Sequence, residues 1–300
     1  MSYLKTRDYH ELYYASFGDP KADTILFLHG GPGGCCHAQD ASLFNLDHYQ
    51  VIQVDQRGCG QSRPAGHVQE NNTQALVADL ENLRHHLGLQ RWQIYGGSWG
   101  ASLALEYAKA YPERVTRLVL RGTFLARASD LAWFFDAGGV ARYFPTAYAQ
   151  LLAALQLEQT NTLTLLAQSY QTLLTADEQP QHAYQVALGL SNWNSVVMGL
   201  KPTTASLPVA QQQALIQRQR VFIHYSYHQF FLGGQGVLTD LARLRDLPIH
   251  LIHGQHDQVC PLAGAYTLLE YLPHAQLTVV DAGHGLHETV ISEAVAQCYK

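Results

Sequence analysis

Short apolar runs alternate with amphipathic helical patterns at both ends of this 300-residue chain, and the alternation stops in the middle. Strand-like runs stand at residues 24–28, 49–54, 92–95 and 115–120. The first three end at a glycine cluster or at Asp55. Between them, residues 73–87 carry Leu76, Val77, Leu80, Leu83 and Leu87 close to the 3.6-residue period of a helix. The Ala- and Leu-rich residues 101–111 end at Pro112, which cannot continue a helix. The same order returns near the end: a strand at 248–252, a helix at 263–271, a strand at 276–280 and a closing helix at 288–298. Such alternation predicts an α/β fold, with a mostly parallel central sheet and helices on both faces. Residues 123–245 lack it. They are rich in Ala, Leu, Gln and aromatics, with helical spacing at 151–157 and 209–222. They read as a helical cap inserted into one core formed by residues 1–122 and 246–300.

Composition removes several classes of function. With 47% hydrophobic and 14% charged residues there is ample material for a large core. The formal net charge of −5 leaves no basic surface of the kind nucleic acids require. No apolar stretch reaches the roughly 18 residues of a membrane span, and the N-terminal MSYLK does not lead into an apolar signal region. The expectation is a cytoplasmic protein with no membrane or nucleic-acid partner, a monomer before an oligomer. Cys35, Cys36, Cys59, Cys260 and Cys298 are odd in number and form no CxxC pair, so no disulfide framework is expected. The 16 histidines are scattered and do not group with cysteine at zinc-ligand spacing. No metal or organic cofactor is expected.

The chemistry gathers where strands end. Residues 96–100, GGSWG, follow one predicted strand and open one predicted helix. That is the setting of a nucleophile elbow, a sharp turn that exposes the serine hydroxyl while glycines let strand and helix pack closely. A serine hydroxyl needs a base, and in an α/β-hydrolase the order along the chain is serine, acid, histidine. Asp257 follows the strand at 248–252 and His284 follows the strand at 276–280. Both therefore fall at carboxyl ends of strands, where open α/β sheets build their sites. Asp281 is the competing acid, and His253, His256 and His287 are nearby. The oxyanion needs backbone N–H donors, expected from Trp99, directly after the serine, and from residues 29–34, HGGPGG. A phosphate-binding loop is the rival reading of those glycines, but neither Gly-Lys-Ser/Thr nor GxGxxG accompanies them. After the second strand, Asp55 and Arg57 read as a buried pair bracing the loops beneath the site.

Together, HGGPGG at 29–34, DQRGCGQSRP at 55–64, GGSWGA at 96–101, GQHDQVCP at 254–261 and Gly283-His284 resemble the prolyl iminopeptidase family of serine peptidases. The likeness extends into residues 120–125 and 133–145. It implies an α/β-hydrolase fold with Ser98 as nucleophile, His284 as base, Asp257 as its orienting acid, and Trp99 and Gly31 as oxyanion donors. It also implies release of an N-terminal proline, whose amine the family binds with two glutamates of the cap, in a WxxWE-like and an ENHYF-like segment. At the matching positions this chain has Asn194 and Phe222. Losing a charged hydrogen bond costs roughly 1.5–3 kcal/mol.

The first expectation is thus a serine hydrolase working through an acyl-enzyme on a small molecule or short peptide. It either releases N-terminal proline or acts on small neutral esters or amides. Trp193, Asn194, Phe222 and Tyr225 are the candidate pocket residues, although aromatics of this kind also serve as cap core. A non-catalytic binder of small ligands and an acyltransferase on the same scaffold are the alternatives. The complete serine, acid and histidine set speaks against the binder.

Overall fold

The computed structural model describes residues 2–300. The strands are β1 (Ser2–Lys5), β2 (Glu11–Phe17), β3 (Asp23–Leu28), β4 (Tyr49–Val54), β5 (Trp92–Gly97), β6 (Val115–Arg121), β7 (Ile249–Gly254) and β8 (Gln276–Val280). They form one sheet in the order β1-β2-β4-β3-β5-β6-β7-β8. From β4 to β8 every pairing is parallel, while β1 and β2 join as an antiparallel edge. This is the α/β architecture expected from the alternation. The β1–β2 hairpin escaped the sequence reading, although Leu12 and Tyr14 alternate inward as a half-buried strand requires.

The inner strands read as continuous apolar runs because both faces are covered. Ile25 and Phe27 of β3 face one cluster, with Val51, Tyr95, Val119, Val295 and Tyr299. Leu26 and Leu28 face the other, with Ile52, Ile94, Leu118 and Leu120. The covering helices include α1 (Thr73–His86) and α2 (Trp99–Ala110) after β4 and β5, α8 (Ala263–Tyr271) between β7 and β8, and α9 (Thr289–Gln297) at the end. α1 starts where the Asn72 side chain accepts a hydrogen bond from the Ala75 amide, and Arg84, His85 and His86 occupy its last turn, against the negative end of the helix dipole.

Between β6 and β7 the described chain forms helices and no strand: α3 (Ala128–Phe135), α4 (Pro145–Ala154), α5 (Thr162–Leu174), α6 (Pro180–Val197) and α7 (Val209–Tyr227). This insertion lies over the carboxyl edge of the sheet. The connection leaving β3 runs to β4 on one side, and the connection leaving β5 runs to β6 on the other. The loops after β3 and β5 therefore diverge, which opens a crevice at the carboxyl ends of the strands.

Candidate active site

Ser98 occupies the turn between β5 and α2 with φ 57° and ψ −121°, a conformation a non-glycine residue adopts only under constraint. The constraint is close packing. A Cβ on Gly100 would stand 2.3 Å from the Leu28 carbonyl oxygen, so α2 begins flush against β3 only because that residue is glycine. The Trp99 amide is the first of α2, at the positive end of the helix dipole. The fully buried Trp99 indole donates to Gln56 Oε1 at 2.8 Å. Gln56 in turn donates from Nε2 to the His29 carbonyl at 3.0 Å and from its amide to His29 Nε2 at 3.1 Å. The elbow and the loops after β3 and β4 are thereby one hydrogen-bonded unit. Gln56 lay inside the DQRG segment, but nothing local pointed to this role. Gly31 has φ +123°, and a Cβ there would meet the Gly34 amide nitrogen at 2.6 Å. Gly31, on the loop after β3, and Trp99, at the start of α2, thus flank the crevice.

His284 and Asp257 meet across the loops after β8 and β7. His284 Nδ1 lies 2.6 Å from Asp257 Oδ2, and the carboxylate is fully buried. The other carboxylate oxygen accepts from the amides of Val259 (2.9 Å) and Cys260 (2.8 Å). Burial alone would raise the Asp257 carboxyl, but His284, His253 and the Cys260 amide together hold it below the usual range. An ionised carboxylate only accepts hydrogen bonds, so Nδ1 carries the ring proton and Nε2 is left as a base. Glu288, ahead of α9, fixes the histidine loop by accepting from the amides of Gly283 (2.8 Å) and Gly285 (3.0 Å). The competing acid Asp281 is exposed and pairs with His256 at 2.8 Å. His253 is fully buried and bonds the Cys260 carbonyl at 2.7 Å.

Ser98 and His284 line one cavity of about 240 Å³, together with Gly30, Gly31 and side chains of the insertion. Among the described residues, no hydrogen bond joins Ser98 to His284; such bonds often tighten only when substrate binds. Asn194 and Phe222 line the cavity. Trp193 and Tyr225 do not. Both are 1% exposed, and each polar atom has a partner in the core: Trp193 Nε1 donates to the Phe134 carbonyl at 3.1 Å, and the Tyr225 hydroxyl to Asn71 Oδ1 at 2.8 Å. Neighbouring helical positions face different ways, so Asn194 reaches the cavity while Trp193 packs against Phe134 and Tyr148. The aromatic wall is supplied instead by Phe124, Phe134, Phe135 and Phe230, with Arg218 and Gln219 from α7. The single carboxylate lining it, Asp130, already accepts from the Arg127 guanidinium at 2.7 Å and the Arg127 amide at 3.0 Å.

The Asp55–Arg57 pair is not formed. Asp55 accepts from the amides of Cys36 and Gln61, both at 2.8 Å, and so ties the loops after β3 and β4. Arg57 turns the other way, to Asp79 of α1 at 2.5 Å and Asp8 at 2.7 Å. Side chains two residues apart in an extended segment point alike, but the turn at Gly58 and Gly60 breaks that rule here. Arg57→Ala strands the buried Asp79 carboxylate and is expected to cost about 3–5 kcal/mol of stability. A urea titration would read this as a lower midpoint, and Arg57→Ala with Asp79→Ala should recover part of the loss.

Among the described residues, no three His, Cys, Asp or Glu side chains are grouped to hold a metal ion, and no helix is long and apolar enough to cross a membrane. The sheet order and the strained serine turn define an α/β hydrolase, and the alpha/beta hydrolase fold family model matches residues 23–289. An esterase from Rhodococcus sp. ECU1013 has the same fold, with a TM-score of 0.64 and 19% identity over 99% of this chain and 96% of that one. Proline iminopeptidase of Neisseria meningitidis serogroup B is 33% identical over 98% of this chain and 93% of its own length. Proline iminopeptidase of Arabidopsis thaliana is 34% identical over 96% and 76%. The chain belongs to the proline iminopeptidase family of hydrolases.

Proposed function

We propose that the protein releases N-terminal proline from short peptides through an acyl-enzyme, with Ser98 as nucleophile, His284 as general base and acid, and Asp257 as the acid that orients the ring. The observation that carries this reading is the buried 2.6 Å bond between His284 and Asp257 beside the Ser98 elbow. The Ser98 hydroxyl attacks the proline carbonyl as His284 Nε2 takes its proton. The amides of Trp99 and Gly31 stabilise the oxyanion, and the protonated histidine delivers its proton to the departing amine. Water activated by the same histidine then releases proline. The insertion acts as a cap that shapes the acyl site, and the compartment is the cytoplasm.

The cavity lining favours a second reading, in which small neutral esters or amides are the substrates. Asn194 and Phe222 offer no charge to an ammonium, and Asp130 is already engaged. A paired assay on purified protein separates the two, with a free-amine proline arylamide in one arm and a short-chain aryl ester in the other. Cleavage of the arylamide supports proline release; cleavage of the ester alone defeats it in favour of the second reading. Asn194→Glu returns one carboxylate to the cavity wall. It is expected to raise kcat/KM for the arylamide roughly ten- to a hundredfold, the worth of one charged hydrogen bond, and to leave the ester unchanged.

A further inference from the structure

Arg121, the last residue of β6, is 8% exposed, lines the cavity, and among the described residues is in no salt bridge. Asp40 is near enough to feel its charge but accepts instead from the His37 amide. A guanidinium buried without a carboxylate is costly to keep. Its bonds show what it holds. Nη1 donates to the main-chain carbonyl of His284 at 2.6 Å. The main-chain carbonyl of Arg121 accepts from the Ser98 amide at 2.8 Å. Parallel pairing sets Arg121 beside Gly97 on one side and Ile252 on the other, so it stands between the strand that delivers the serine and the strand whose loop carries the acid. Gly97 leaves it room, since a Cβ there would be 2.4 Å from Arg121 Nη2.

We propose that Arg121 is a positioning residue for the hydrolytic reaction: its carbonyl fixes the Ser98 amide and its guanidinium fixes the His284 loop, which together set the approach of hydroxyl and imidazole. Glu288 holds the amides on either side of His284, and Arg121 holds its carbonyl. The loop is thus clamped by opposite charges at complementary groups. The inference rests on the roles proposed above for Ser98 and His284.

The test compares Arg121→Ala, Arg121→Lys and Gly97→Ala with the parent, using whichever substrate the paired assay identifies. Arg121→Ala should lower kcat about 10²-fold at nearly constant KM, the cost of a misplaced reacting group. Added methylguanidinium should restore part of that loss, and Arg121→Lys should fall between the two. Gly97→Ala pushes the guanidinium aside, so its effect should vanish when Arg121 is already alanine. A parental kcat in Arg121→Ala overturns the proposal. So does a loss that appears in KM alone, or one that adds fully to Gly97→Ala and resists rescue. Should Arg121→Ala fail to fold, Arg121→Lys still decides, because it keeps a cation on β6: a lowered kcat at nearly constant KM supports the proposal, and a parental kcat overturns it. Ser98→Ala runs alongside: activity surviving there defeats the assignment of the nucleophile. Activity lost there but intact in the Arg121 variants defeats only the positioning role.

Discussion

Ser98→Ala is expected to lower kcat about 10⁶-fold and to leave the fold intact. The backbone at this turn is held by packing around it and not by the side chain. The Ser98 amide is bonded to Arg121 and its carbonyl accepts from the Ala101 amide at 2.9 Å, while its hydroxyl stands beside the buried Cys260 thiol. Alanine keeps the Cβ that rests against Gly30 and removes the hydroxyl alone. Thermal unfolding should therefore match the parent. Residual activity of about 10³–10⁴ over the uncatalysed rate would come from the oxyanion amides and from binding. Intact-mass measurement after treatment with a fluorophosphonate gives an independent readout. The parent should gain one adduct and Ser98→Ala none. An adduct of equal yield on the variant would place the reactive hydroxyl elsewhere and remove the basis of the proposed mechanism.

The parts of the molecule that were legible in the sequence are those governed by local periodicity. The runs at 49–54 and 276–280 are strands with the expected bounds, and the helix expected at 263–271 forms over those residues. Because the strands were readable, so was the fact that Ser98, Asp257 and His284 each follow one. What stayed hidden depends on partners distant in the chain. Arg57 pairs with a carboxylate 22 residues away on a helix, and Gln56 joins a tryptophan 43 residues on. Arg121 reaches a carbonyl 163 residues away. None of these has a spacing that a motif could carry. Trp193 and Tyr225 failed as cavity residues for a related reason. Residue type says that an aromatic will be buried, but the rotation of its helix decides whether it is buried against a cavity or against other side chains. The β1–β2 edge was lost because its apolar alternation is short and interrupted by polar residues at 5–8 and 10–11.

Asp257→Asn is expected to lower kcat about 10⁴-fold with substrate binding retained, and the reason lies in which atoms the carboxylate already serves. Oδ1 accepts two main-chain amides, from Val259 and Cys260, so an asparagine must direct its carbonyl oxygen there to keep them satisfied. Its NH₂ then faces His284 Nδ1. That nitrogen can meet a donor only as an acceptor, which moves the ring proton to Nε2, the atom that has to take the proton from Ser98. The substitution preserves shape and inverts the tautomer. The native carboxyl is held below its ordinary range, by His284, His253 and the Cys260 amide acting against burial, so it stays charged well into acid. The loss in Asp257→Asn should accordingly persist across the pH profile of kcat/KM and not appear as a displaced limb. Asp281→Asn is the matched control. Its carboxylate is 86% exposed and pairs only with His256, itself 62% exposed, an interaction worth little in water. It should leave kcat unchanged. If Asp281→Asn instead carried the larger loss, the acid partner of His284 in turnover would be Asp281, and the loop after β8, which carries both residues, would have to rearrange to permit it.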